Sequence, residues 1–420
     1  MTEPFESLAR TVATSEKFPH ACFVTVPHPL GMLPASEVTK KADNVFPDLM
    51  KAATDWQPIE TKETVKASCP AERFELTGTF MDINRHFLSK KWSLGLPVIP
   101  PTTESVVEML QSTSFKPDEV LGLVPPQMGT LTIELAAVHA VMAGCRPVFF
   151  PLLIAALKGF MADDANWRGT LATTGTTQFI VIVNGPIVKE IDIAFSQGAA
   201  GKGHHANASI GYAINLIAYT VGGSRPPSID RSTLASPSDY VCWVFGENEE
   251  ALPSGWEPLH VERGFKSTDS VVTVMSSYPP VENIDHWSTS CAEHMRWWHY
   301  IVSPMHNMGG PCFPLVMEQN PIVAIGPEHV QLIASEGWSK NDFRQAFWER
   351  TQIPASAWPA GCPHQEILAA KYGPITADSL IPITHSPDQL LIVIAGGEGK
   401  HSHYFSSFPG AFPVSSIVPI

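Results

Sequence analysis

Two histidines, His204 and His205, follow the glycines Gly201 and Gly203 and precede an apolar, helix-permissive run from Ala206 to Ala218. An imidazole titrates near neutral pH, so either ring can act as acid, base or metal ligand. His205 leads, being nearer the helix start. Glycine leaves its N–H open to close approach, and the first N–H groups of a helix lack helical partners, so an anionic or strongly polar ligand group is favoured there. Asn184 and Asn207 are placed to orient the reacting group. Glu247 follows a strand and His260 lies just beyond it. Either can fix the protonation state of His205, since a useful acid or base needs an orienting neighbour. Arg263 can clamp a carboxylate in bidentate fashion. A second glycine stretch carries Gly396 and Gly397 and runs into Lys400, His401 and His403. Cys145 stands beside Arg146, whose charge can lower a thiol pKa.

Each residue also has a plain structural reading. Cys145 closes a helix, where the dipole opposes a thiolate. Asn207 can be a helix cap, and His204 and His205 can simply bond the backbone. The acids around Glu247 fit a solvated loop, and Arg263 fits a salt bridge to Glu257 or Glu262. The aromatic stretch Trp287 to Tyr300, with Cys291, Glu293, His294 and His299 and with His306 beyond, fits either core or a pocket wall. No metal or other cofactor is expected, because the histidines are adjacent or alternate residues without a ligand set. His205 with Glu247, or His401 with His403, would be the first places to look. The GxxxxGK[ST], dinucleotide and GxSxG patterns are all absent.

These residues need strand ends to hold them. Apolar β-branched runs stop at Asn184-Gly185-Pro186, Gly326-Pro327 and Ala395-Gly396-Gly397. Strands also read at Ala21 to Val26, Val120 to Val124, Val241 to Phe245 and Ser270 to Met275. Helices read at 36–53, 102–110, 130–142, 148–161, 206–218 and 328–336. The alternation predicts an α/β fold: a mixed, mostly buried sheet with helices on both faces and a small N-terminal element. In such sheets ligands gather at the carboxyl ends of strands, so the three glycine-bearing ends should converge. Residues 1–78 form the N-terminal element and linker, and 79–420 the main domain, divisible into lobes at 79–230 and 231–420.

A net charge of −14 without a Lys/Arg cluster argues against nucleic acid. No apolar run is long enough to span a membrane. The N-terminus lacks the basic and apolar regions of a signal peptide. Seven cysteines, an odd set with no CxxC spacing, fit reduced thiols in the cytoplasm. Only 16% of residues are charged, which suits a homo-oligomer interface.

The runs Leu94 to Thr102, Ala140 to Pro147, Val183 to Pro186, Ala206 to Gly211 and Glu257 to Gly264 occur in that order. Together they resemble the conserved region of the UGSC-motif protein family, named for a tetrapeptide with selenocysteine or cysteine in a separate N-terminal domain. The resemblance continues through Gly326 to His329, Gly337 to Lys340 and Val393 to Gly397, covering residues 90–420. Val26 to Gly31 resembles the tail of the UGSC domain. No UGSC or CGSC tetrapeptide occurs, so no redox role carries over through that motif. The resembling sequences generally place a basic residue where His205 stands and another near Tyr212, which implies a different ligand charge here. The resemblance implies kinship rather than a defined reaction.

The expected function is an enzyme acting on a small polar or aromatic organic molecule by acid–base chemistry, of lyase, isomerase or hydrolase type. A thiol-dependent oxidoreductase using Cys145 and a non-catalytic small-molecule binding protein are the alternatives.

Overall fold

The computed structural model describes residues 1–15, 18–30, 33–57, 71–302, 319–357, 369–370 and 373–419. Most of the expected linker, and His306, lie outside them. An N-terminal helical element (Glu6–Ser15 and Ala35–Asp55) comes first. The strand expected at Ala21 to Val26 reduces to one bridge, Thr2 to Val26. Thr102 caps the Thr103–Leu110 helix, its hydroxyl accepting from the Ser105 N–H. A hairpin, β1 (Val120–Val124) and β2 (Gly129–Thr132), leads into the Ile133–Met142 helix.

Two four-stranded sheets carry the core. One has the order β12-β5-β3-β4, built from β3 (Gln178–Asn184), β4 (Trp243–Gly246), β5 (Val271–Ser277) and β12 (Val414–Ile417). The other has the order β10-β7-β11-β6, from β6 (Val281–Ile284), β7 (Ile322–Ile325), β10 (Leu391–Ile394) and β11 (His401–Phe405). Two short strands, β8 (Ile353–Pro354) and β9 (Leu380–Ile381), pair apart from both.

Side-chain alternation states what each face meets. In β3, Val181 and Val183 pack on the Ile133–Met142, Phe150–Met161 and His205–Thr220 helices. Ile180 and Ile182 instead meet Ile322 and Ala324 of β7 and Leu391 and Val393 of β10. On the far face of β7 and β10, Val323, Ile325, Ile392 and Ile394 pack on Trp298, Phe343 and Phe347. The chain is therefore four layers, helices–sheet–sheet–helices, with two sheets back to back. Each buried Ile or Val in these strands contributes about 1.5–3 kcal/mol. This explains the continuous apolar runs: the central strands are covered on both faces. The α/β class stands, its sheet divided in two.

The sheets share a plan. In each, a parallel pair (β3 with β4, β7 with β10) is joined by helices on the outer face, and the pair's first strand takes an antiparallel neighbour, β5 or β11. The final strands then change places: β6, which follows β5, pairs with β11, while β12, which follows β11, pairs with β5. A division near residue 230 would run between β3 and β4, neighbours in one sheet.

Candidate functional site

The ends of β3, β4 and β10 meet at one buried carboxylate. Glu247, one residue past β4 and 1% exposed, accepts on Oε2 from Asn184 Nδ2 and the Leu259 N–H, both at 2.7 Å. Its Oε1 accepts from the Ile394 N–H at 3.3 Å. Burial pushes the Glu247 carboxyl up, while the Lys340 charge and these donors oppose the rise. Asn248 extends the junction, donating its side-chain N–H to the Gly396 carbonyl at 3.0 Å. Asn184, at the end of β3, and Gly396, beyond β10, thus belong to one crest.

Glu249 stands beside this bolt and reaches the surface. Its Oε1 accepts from Asn184 Nδ2 and from the Gly185 N–H, both at 2.9 Å, and its side chain is 31% exposed. His260 Nδ1 lies 3.7 Å from the same oxygen, beyond hydrogen-bond reach. The His260 ring is fully buried, and among the described residues neither of its nitrogens, nor Asn184 Oδ1, has a hydrogen-bond partner. Buried polar atoms are nearly always satisfied, so this corner is chemically unsaturated.

The helix entrance is elsewhere and is spent on structure. The exposed His205 ring bonds through Nε2 to the Gly144 carbonyl at 2.8 Å and packs edge-on against Phe149. Neither Glu247 nor His260 is its partner, a correction to the sequence reading. Asn207 is not free to orient a ligand. Its amide accepts from Ala194 N–H and donates to the carbonyls of Ala194, Ala199 and Val244, pinning a loop to β4. His204 is the N-cap without a side-chain bond. Gly201 bonds Gly198 through the backbone, and Gly203 is required by φ +99° alone. Cys145 is buried and its thiol is pushed up to about 12 by loss of solvation, so it carries no thiolate.

The glycines of the crest serve the chain, not a ligand. A Cβ on Gly185 would lie 2.1 Å from the Asp269 carbonyl, and one on Gly397 would lie 2.4 Å from Gln197 Oε1. Arg263 donates to Ser415 and to the Pro413 carbonyl and so tethers the start of β12; Glu262 pairs instead with Lys340 and Arg344. His401 begins β11 rather than a loop, and its Nδ1 meets Glu282 Oε1 at 2.7 Å.

Of the expected residues, then, Asn184, Glu247, His260 and Gly396 come together, while His205, Cys145, His204, Asn207, Gly201 and Gly203 gather at a separate helix start. Glu249 follows the same strand as Glu247 and fits a carboxylate base by position, but an acidic cluster after a strand also reads as a solvated loop, and that reading hides it. Among the described residues, the group able to hold a metal is Asp285, His294 and His329, far apart in sequence and at no recognisable spacing. Burial pushes His329 down to about 4.

No protein-family model, curated protein or solved structure matches the chain. Among the described residues no helix is long and apolar enough to cross a membrane.

Proposed function

We propose that the protein is an enzyme acting on a small polar organic molecule by acid–base chemistry at the crest formed by β3, β4 and β10. Glu249 is the base that meets the substrate, and His260 the relay behind it. The observation that carries this reading is the buried, doubly unpartnered His260 imidazole 3.7 Å from a solvent-facing carboxylate. Donors from Gly185 and Asn184 hold the Glu249 oxygen aimed, and Glu247 fixes Asn184 in turn. A carboxylate with one oxygen so held and a histidine in reserve suits proton abstraction and return, as in a lyase, isomerase or hydrolase step. The thiol route draws no support from the buried Cys145. Kinship with the UGSC-motif family and a cytoplasmic setting remain part of this reading. So does self-association, supported by the exposed apolar Phe80, Met81, Leu88, Leu96 and Ile99.

The test starts from small molecules recovered by mass spectrometry from natively purified protein. The wild type should convert one of them to a new mass or isomer, and Glu249→Gln and His260→Gln should lose that turnover while melting like the wild type. Full turnover in both variants would refute the assignment. A compound bound and returned unchanged would make the protein a binding protein.

A further inference from the structure

A second buried polar cluster lies on the outer face of the other sheet, between β6, β11 and the Cys291–Val302 and Pro327–Ser335 helices. Asp285 follows β6, and its Oδ1 accepts the Trp287 and Ser288 N–H groups. Its Oδ2 accepts from His294 Nδ1 at 2.7 Å. The indole N–H of Trp298 donates to His294 Nε2 at 3.0 Å, which makes the ring neutral with its proton on Nδ1. His329 Nε2 donates to the Asp285 carbonyl at 3.1 Å, so its Nδ1 is the acceptor for Ser402 Oγ–H at 2.7 Å. Asp285, His294 and His329 are all 1% exposed or less. One ligand atom from each lies within 4.8 Å of the others.

Two further observations point to a guest. Among the described residues, neither amide atom of the fully buried Asn283 has a hydrogen-bond partner. Asn283 lies directly opposite Ser402 in the β6/β11 register, so the two side chains share a face. Ser288, Asp285 and His329 also line a cavity of about 320 Å³ that opens past Glu328 and Lys400.

We propose that Asp285, His294 and His329 form a site for a divalent transition metal of the zinc or iron(II) type, its remaining coordination positions facing this cavity. Two imidazoles and a carboxylate, with room left for water or a small ligand, are a donor set that such ions accept. Donor atoms around an ion at about 2.1 Å sit roughly 3–3.5 Å apart, a spacing these three ligand atoms, all within 4.8 Å of one another, can adopt. Ligation needs tautomer shifts in both rings and displaces the hydrogen bonds they now make with Asp285 and Trp298. The His329 proton moves from Nε2 to Nδ1 and bonds Ser402 Oγ, the second-shell bond that orients a ligating imidazole. The His294 proton moves from Nδ1 to Nε2, and Trp298 loses its acceptor. The Trp298 indole bond and the His329 bond to the Asp285 carbonyl are small against three metal–ligand bonds. The proposal is independent of the crest: Glu249 and His260 take no part in it.

The test uses metal-stripped wild-type protein titrated with Zn²⁺ by calorimetry and with Co²⁺ by absorption and tryptophan fluorescence. Expected are one equivalent bound per chain, d–d bands of a four- or five-coordinate ion and a change in tryptophan emission. Asp285→Asn and His329→Gln should weaken binding at least tenfold. X-ray absorption on the wild-type zinc form, which depends on no variant's folding, should show imidazole scattering from two rings. Less than a tenth of an equivalent bound, spectra without imidazole, or unchanged affinity in both variants would overturn the assignment.

Discussion

Replacing Glu247 by alanine or by glutamine separates a bolt from a bystander. Alanine removes the acceptor of three donors: Asn184 keeps its second bond to Glu249, but the Leu259 and Ile394 N–H groups are left buried and empty. At about 1–3 kcal/mol for each unsatisfied group, plus a cavity where the side chain stood, the loss should reach about 3–6 kcal/mol. Relief of the buried charge offsets part of this, and Lys340 retains Glu262 as its partner. Glutamine can keep its oxygen at the two 2.7 Å contacts and turn its NH₂ toward Ile394, sacrificing only the 3.3 Å bond. It should therefore cost about 1–2 kcal/mol. Urea unfolding followed by tryptophan fluorescence reads both, with m-values unchanged. Alanine within about 1 kcal/mol of the wild type, or glutamine as damaging as alanine, would refute the view that Glu247 clamps three strand ends.

Burial holds His139 down to about 4 against 6.5 for a free imidazole. The unfolded chain therefore takes up its proton first as pH falls, so stability is full above about 6.5 and lost toward 4; by pH 5 about 2 kcal/mol should be gone, and His139→Gln should flatten urea midpoints compared at pH 7 and 5. Cys145, with its thiol near 12, should stay unalkylated in the native protein at pH 8, as peptide mass mapping would show; rapid labelling would reverse that reading. His205→Ala removes one surface hydrogen bond to Gly144, so it should lower stability by no more than about 1 kcal/mol in a thermal melt and leave turnover of any recovered substrate intact.

Strands covered on both faces were legible because their apolar runs are unbroken: Phe179 to Val183, Pro321 to Ile325 and Leu390 to Ile394 all became buried strands. Strands that carry polar residues were not. His401 to Phe405 alternates polar and apolar residues, yet the preceding glycines made it read as loop, and Ser415 and Ser416 hid β12 in the same way. At the site, Glu247 and His260 were chosen by type and position after a strand. What joins them to Asn184 is burial and the meeting of two sheets, which no local pattern encodes. The Gly201–Gly203 segment misled for a physical reason: glycine at φ > 0 permits a turn as readily as it admits a ligand.

The exchange of β6 and β12 between the sheets also sets an order of events during synthesis. Once β5 has emerged and paired with β3, its other edge waits for residues 414–417, and β6 waits for a sheet whose remaining strands are not yet made. Neither half can close before the other is complete. The nascent chain therefore carries open strand edges through translation of its whole second half, when it is most exposed to pairing with a neighbour. Once β12 is in place the halves are interlocked, and pulling one apart must unzip the other.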